Sequence, residues 1–341
     1  MIDFDFAALR RIGLNNTLIN QLHHAPEGAQ LVRITEIQRE WLTVHDGKAE
    51  FRARVLPALH NADLAVGDWV LSTTLAHDEH WLSALLPPTT HIARRGNDGR
   101  HHSLVSNVDT ALLVMGQDND FNPRRLERYL AIVKTASVEP VVVLSKADIA
   151  QDAQQHMELL RQRLPASIPL LAINTLSGDA VTQLSPWLGA GQTLVLLGSS
   201  GAGKSTLTNT LTRANQQTGG VRHGDSRGRH TTTARSLHLC ASGACIIDTP
   251  GLRSWQPDAD ETSIAASFED IDALAAQCQF RDCRHASEPG CAVRGAVDGD
   301  RLRNYHKLLR EARRGEQTAL ERIAEVAKWK VMQRAARDKR R

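Results

Sequence analysis

The sequence predicts an α/β fold built on a parallel sheet, preceded by a small β-barrel and followed by a helical domain. Three observations carry that reading. Between about residues 105 and 256, near-continuous apolar runs (Thr110–Met115, Pro140–Leu144, Pro169–Ile173, Thr193–Leu197) alternate with helical segments such as Arg124–Ala136 and Ala153–Arg163. Strands that are apolar throughout and spaced by helices belong to a parallel sheet covered on both faces. Before them, residues 31–95 hold short alternating segments rich in β-formers, and after them residues 257–341 are rich in Ala, Leu, Glu and Arg.

Taken in order, residues 1–30 are a partly helical lead-in. In 31–95 the segments Leu31–Ile34, Trp41–Val44, Phe51–Val55, Asp68–Leu71 and His80–Leu85 are punctuated by Gly47 and Gly67. About five short strands in that length read as an OB-type barrel. Pro87-Pro88 and Arg94-Arg95-Gly96 then mark a linker into the sheet domain, 96–256. The barrel has 7 Lys/Arg against 8 Asp/Glu. Its Trp41, Phe51, Trp69 and Trp81 serve equally as filling for the barrel or as platforms for nucleic-acid bases, so the residues alone leave RNA binding by the barrel open.

The bulk composition of the 341 residues, 41% hydrophobic and 23% charged, is that of a globular protein. Met1–Phe6 is acidic where a secretory leader is basic. No apolar run approaches the roughly 20 residues that span a bilayer. The cysteines number five, and three of them crowd beside one histidine. That favours a metal site in a reducing compartment, the cytoplasm, over a disulfide framework. The net charge of +3 is uneven: residues 301–341 hold 14 Lys/Arg and 5 Asp/Glu, so they carry +9 and the rest −6. A basic C-terminal arm suits a polyanionic partner such as RNA or DNA, or is simply a solvated helix.

Gly198-Ser199-Ser200-Gly201-Ala202-Gly203-Lys204-Ser205 matches the full phosphate-loop pattern, with a strand entering it and a helix leaving it. Its glycines let successive N–H groups turn toward phosphate oxygens. Lys204 supplies a fixed charge to the β/γ-phosphates, Ser205 a hydroxyl to Mg²⁺, and Thr206 extends the nucleotide-binding run. A second turn, Ser145-Lys146-Ala147-Asp148, follows an apolar strand. An Asp there accepts from the N1–H and amino group of guanine, a pair of donors adenine lacks, and the stem of Lys146 would lie on the base. Ser145 stands where Asn or Thr is usual, which weakens one expected tether. Asn174–Gly178 is a candidate for the loop behind the base. In Ile246-Ile247-Asp248-Thr249-Pro250-Gly251 an apolar strand delivers Asp248 toward Mg²⁺ and the Gly251 N–H toward the γ-phosphate. Gly228–Thr233 is polar and suited to a switch, with Thr232 a candidate Mg²⁺ ligand.

These signals stand in an unusual order. The guanine-reading Asp148 precedes Gly198 by 50 residues. A nucleotide site needs strand ends converging on one sheet edge, in any chain order, and a circular permutation supplies that when the original termini lie close together. The segment ending in Asp248–Gly251 then leads straight into the C-terminal domain, so a γ-phosphate-dependent movement has a path there. In that domain Cys278, Cys283, His285 and Cys291 supply three thiolates and an imidazole within 14 residues, the donor set of a closed, structural Zn²⁺ site. Cys240 and Cys245 flank a turn between strands and read as buried small side chains.

With the order SKAD, GSSGAGKS, GRHTTT, DTPG, a preceding barrel containing Gly67-Asp68-Trp69-Val70, and the Cys/His cluster behind, the chain resembles the circularly permuted ribosome small-subunit-dependent GTPases. The resemblance covers nearly the whole length. It implies an OB barrel, a permuted GTPase and a zinc domain, and a role in late maturation of the 30S subunit, with 16S rRNA as partner and hydrolysis of GTP to GDP stimulated by the subunit. It also places the chain among GTPases with an apolar residue, here Leu252, where a water-orienting Gln is common. His230 in the first switch is the candidate to orient the water, beside Lys204, Asp248 and Gly251. A monomer that avoids membranes is expected. An RNA-binding module in which guanine nucleotide is a slow conformational ligand is the alternative, and a P-loop ATPase or kinase is opposed by the SKAD turn.

Overall fold

A computed structural model describes residues 4–59, 62–74, 79–95, 101–213, 235–250 and 261–316. They fall into two compact units, the first within Met1–Ala93 and Ser103–Trp255, the second within Arg94–His102 and Gln256–Arg341.

The first unit opens with two short helices, α1 (Phe6–Arg11) and α2 (Asn16–Ile19), whose first turns are capped by the side chains of Asp5 and Asn15. Strands β1 (Gln30–Ile37), β2 (Leu42–His45), β3 (Glu50–Val55), β4 (Trp69–Thr74) and β5 (His80–Leu85) follow. The pairs β1–β2, β2–β3, β4–β5 and β1–β4 are antiparallel and β3–β5 is parallel, which closes a five-stranded barrel. This is the closure expected of an OB-type barrel. Alternate residues Val32, Ile34, Leu42, Val44, Ala53, Val70 and Leu82 fill it. The stretch read as a linker holds a further strand, β6 (His91–Arg95), which pairs with β7 (His101–Ser106) just beyond it.

Strands β8 (Thr110–Gly116), β9 (Glu139–Ser145), β10 (Leu170–Ala172), β11 (Thr193–Leu197), β12 (Ser236–Leu239) and β13 (Cys245–Asp248) form the sheet domain. Their order is β10-β9-β8-β11-β13-β12; the first five run parallel and β12 is antiparallel to them. Helices α3 (Pro123–Thr135), α4 (Ala153–Arg163), α5 (Asp179–Leu184) and α6 (Lys204–Arg213) connect or follow these strands. Both faces are covered. Leu113, Met115, Val142, Leu144 and Val195 pack with Leu126, Tyr129 and Leu130 of α3. Leu112, Val114, Val143, Leu194 and Leu196 pack with Leu207 and Leu211 of α6. Successive residues of one strand therefore enter opposite layers, which is why these strands show no polar alternation.

The barrel is joined to the sheet along β1. Glu36 of β1 is in register with Ser236 of β12. Trp69, fully buried, lies in the sheet domain's core cluster, outside the barrel interior. Next to it Arg33, also fully buried, stacks over the indole at 5.6 Å. Its guanidinium donates to the carbonyls of Ile12 (2.5 Å), Gly67 (3.2 Å) and Asn107 (2.8 Å) and to the Thr193 hydroxyl (2.9 Å). A buried cation is tolerable only when its donors are satisfied this fully.

In the second unit, α7 (Glu261–Ala266), α8 (Glu269–Ala275), a turn of helix α9 (Val293–Ala296) and α10 (Gly299–Glu316) surround a small core containing Ile264, Phe268, Ile271, Val293 and Leu308. Buried Arg301 clamps Asp270 with two hydrogen bonds of 2.8 and 2.6 Å and lies 4.7 Å over the Phe268 ring. Arg313 makes a two-pronged pair with Glu261. Among the described residues, no helix is long and apolar enough to cross a membrane.

Candidate functional site

Strands β8, β9, β11 and β13 end at one carboxyl edge, the place where open parallel sheets bind ligands. The β11 end turns into Gly198, where a side chain is excluded because a Cβ would sit 2.2 Å from the Val114 carbonyl of β8. Gly203 adopts φ +93°, a left-handed conformation that favours glycine. Between them the loop wraps the Lys204 ammonium, which donates to the carbonyls of Gly198 (3.1 Å) and Ser199 (2.8 Å). Burial pulls the Lys204 pKa down, and the nearby charges of Asp248 and Asp120 oppose that shift.

The candidate strand-end motifs that lie in the described residues reach this loop or the helix that leaves it. Ser145, fully buried, donates its hydroxyl to the Ala202 carbonyl at 2.6 Å. A serine hydroxyl, short as it is, reaches this carbonyl directly. Lys146 adopts φ +59°, a strained conformation for a residue with a side chain and one that gathers at functional turns. Asp148 is exposed at the mouth of the turn. From the next loop, Thr175 offers its carbonyl to the Thr210 hydroxyl of α6 at 2.6 Å, so Asn174–Gly178 is held to the helix that leaves the phosphate loop. From β13, Asp248 accepts the Ser205 hydroxyl at 2.9 Å, and Thr249 donates to Leu196 at 2.6 Å. An Asp and a Ser hydroxyl in contact are a donor set suited to a hard cation such as Mg²⁺. His230, Thr232, Gly251 and Leu252 lie outside the described residues.

Residues the sequence reading passed over also converge here. After β8, Asp118 pairs with Lys146 Nζ at 2.6 Å, and Asp120 accepts the Ser199 hydroxyl at 2.5 Å. The hydrogen bond from Lys146 holds the Asp118 carboxyl below the usual aspartate range. Both aspartates follow an apolar strand at the carboxyl edge, and that position was the available signal.

In the second unit, Cys278, Cys283, His285 and Cys291 present ligand atoms that all lie within 4.8 Å of one another. Nδ1 of His285 is 3.6 Å from Cys278 Sγ and 3.5 Å from Cys291 Sγ. A tetrahedral ion with Zn–S and Zn–N bonds of ordinary length would set sulfur and nitrogen about 3.6 Å apart, so the residues fit the metal. Cys240 and Cys245 are buried, as expected of small core side chains.

The barrel aromatics divide. Trp69 is buried, whereas Trp41 and Trp81 are half-buried in an open groove of about 1010 Å³. Arg52 lies 4.5 Å over Trp41 and Arg54 5.9 Å over Trp81. Arg39 also lines the groove, as do two carboxylates, Glu40 and Glu79.

Residues 85–258 match the family model described as RsgA GTPase. The chain is 45% identical over 309 residues to the small ribosomal subunit biogenesis GTPase RsgA of Xanthomonas axonopodis pv. citri, covering 86% of this chain and 84% of that one. It is 48% identical over 270 residues to the protein of the same name from Xanthomonas euvesicatoria pv. vesicatoria, covering 76% and 73%. In fold it is similar to YjeQ from Thermotoga maritima, with a TM-score of 0.61 at 22% identity over 83% of this chain and 98% of that one. It is likewise similar to YloQ, a circularly permuted GTPase, with a TM-score of 0.60 at 21% identity over 87% and 99%.

Proposed function

The chain belongs to the family of RsgA GTPases, and on that premise we propose that it hydrolyses GTP to GDP and phosphate on the small ribosomal subunit. There it assists late maturation, and the subunit stimulates its turnover. The observation that carries the reading is the meeting of reordered motifs at one sheet edge: Ser145 on Ala202, and Ser205 on Asp248.

In this proposal Gly198–Thr206 hold the phosphates and Ser145–Asp148 read the base. Ser205 and Thr232, with Asp248 through water, would hold Mg²⁺, which when bound neutralises charge on the β- and γ-phosphates. Lys204 and the backbone N–H groups, Gly251 included, spread the charge that develops in the transition state. An apolar Leu252 cannot polarise water, so His230 takes the part of orienting it. Cys278, Cys283, His285 and Cys291 would hold zinc, a structural cross-link with no open position for chemistry. The domains follow the boundaries 1–30, 31–95, 96–256 and 257–341.

The partner is 16S rRNA of the 30S subunit, met by a monomer in the cytoplasm. Two surfaces support this. Trp41 and Trp81, each paired with an arginine, suit base stacking, which contributes about 1–3 kcal/mol per base. On α10, Arg303, Lys307, Arg310 and Arg314 are exposed at a spacing that places them on one helix face, a stripe that suits phosphates. The test is GTP turnover titrated with purified 30S subunits. Saturable stimulation is expected, and an unchanged rate would refute the proposal.

A further inference from the structure

We propose that Asp120 is a positioning residue for the phosphate loop and Asp118 for the guanine-reading lysine, so that the loop Gln117–Asn122 supports both halves of the nucleotide site. The inference rests on the guanine-nucleotide reading above and assigns that site two residues beyond its four motifs.

The topology lets one loop serve both. β8 lies between β9, which ends in the guanine turn, and β11, which ends in the phosphate loop. The loop after β8 therefore has one neighbour on each side. Its backbone is tied to the guanine side by the Gln117 N–H, which donates to the Ser145 carbonyl at 3.2 Å. Its side chains then divide the work. Asp118 Oδ2 holds Lys146 Nζ at 2.6 Å. Asp120 Oδ1 takes the Ser199 hydroxyl at 2.5 Å, and its Oδ2 takes the Gly116 N–H at 3.1 Å. Asp118 Oδ1 accepts the Asp120 N–H at 3.1 Å, which links the two carboxylates through one turn.

The electrostatics suit a role beside a polyphosphate. A bare carboxylate next to the loop would repel the ligand. Asp120 is neutralised by Arg125 at 2.5 Å, and Asp118 by Lys146. The pair can thus orient donors while adding little net charge. Ser199 is the first residue of the loop after Gly198, and the phosphate-facing N–H groups follow it. Fixing its hydroxyl fixes where that run of N–H groups begins. Pre-ordered donors bind more tightly because less freedom is lost on binding.

Asp120 would act through Ser199, so the two substitutions should not add. Binding of GDP and guanosine is measured by competition against labelled GDP, on the full-length protein. Asp120→Ala is expected to weaken GDP about 10-fold, the scale of one hydrogen bond to a charged group. Ser199→Ala should weaken it by a similar or smaller factor, and the double variant no further than Asp120→Ala alone. Guanosine, without phosphates, should bind Asp120→Ala within about 2-fold of the parent, whereas Asp118→Ala should weaken guanosine and GDP alike. Asp120→Asn keeps an acceptor for Ser199 and should restore most of the GDP affinity; it also serves if Asp120→Ala does not fold. Losses that add between Asp120 and Ser199, or equal loss of GDP and guanosine in Asp120→Ala, would overturn the proposal. So would an unchanged GDP affinity in Asp120→Ala while the parent binds GDP. A parent that fails to bind GDP would instead remove the reading beneath it.

Discussion

Ser145, at the end of β9, donates its hydroxyl to the carbonyl of Ala202 inside the phosphate loop, 57 residues further along the chain. This contact joins the first residue of the Ser145–Asp148 turn to the Gly198–Ser205 loop. Both groups are buried, so neither water nor an alternative partner replaces the bond when it is cut. Ser145→Ala is expected to lower stability by about 1–2 kcal/mol, the cost of leaving one buried carbonyl without its donor. Urea unfolding measures this. GDP affinity should fall in parallel, because the two halves of the site would no longer be held in register. A variant with parental stability and affinity would show that the tether is dispensable.

Arg33 ties four segments of the first unit together: Ile12 in the lead-in, Gly67 beside the barrel, Asn107 just before β8, and Thr193 at the start of the strand that enters the phosphate loop. Arg33→Met removes the cation and strands its buried acceptors. A loss of about 3 kcal/mol or more is expected, since several buried carbonyls are left without donors at about 1–3 kcal/mol each, read as a shift of the urea midpoint with little change in slope. A loss below about 1 kcal/mol would mean that packing alone holds the barrel to the sheet.

Removing the metal should unfold the second unit selectively. Its core is small, with Phe268, Ile271 and Val293 among its few buried large residues, and ions held by thiolates contribute folding energy directly. Chelation, or Cys283→Ser, is expected to raise protease susceptibility within residues 261–316 while GDP binding by the first unit persists. One zinc per chain should be released. Equal susceptibility with and without chelator would contradict the assignment.

Asp118 carries a pH signature. Its carboxyl is held below 3.8, first by the hydrogen bond from Lys146. For a carboxyl whose folded pKa is lowered, the stabilisation is present above the ordinary value and is lost as pH falls through the lowered one. Both partners are partly exposed, so the effect on stability is small, and the titration itself is the better readout. Carbon-detected NMR of the Asp118 carboxyl is expected to give a midpoint below 3.8, rising toward that value in Lys146→Met. A midpoint that does not move would dissociate the pair.

What the chain discloses in one dimension depends on how local each interaction is. The phosphate loop, Ser145–Asp148 and the strand ending in Asp248 are short runs whose chemistry is complete within a few residues. The Cys278–Cys291 cluster is equally compact, and the layers of β8, β9 and β11 follow from uninterrupted apolarity. Arg33 was illegible for the opposite reason. It stands in β1 like any outward residue of an alternating strand, and its partners Asn107 and Thr193 lie 74 and 160 positions away. Asp120 and Ser199 are 79 apart. The tryptophans illustrate a third case: alternation places Trp69 outside the barrel, but only the docking of the barrel on the sheet makes that outside a core. Strand β6, in a stretch marked by prolines, arginines and a glycine, had no apolar run to announce it.

Residues in reversed chain order are proposed to serve one guanine nucleotide, with Asp148 reading the base while Lys204 meets the phosphates. The most direct measurement is the affinity of Asp148→Asn for GDP and for xanthosine diphosphate. A carboxylate accepts from the N1–H and amino group of guanine, whereas an amide can donate to the carbonyl that xanthine carries in place of that amino group. The expected result is a loss of about 100-fold or more for GDP, with xanthosine diphosphate becoming the better ligand. GDP affinity within about 3-fold of the parent, a change worth well under one such hydrogen bond, would contradict it.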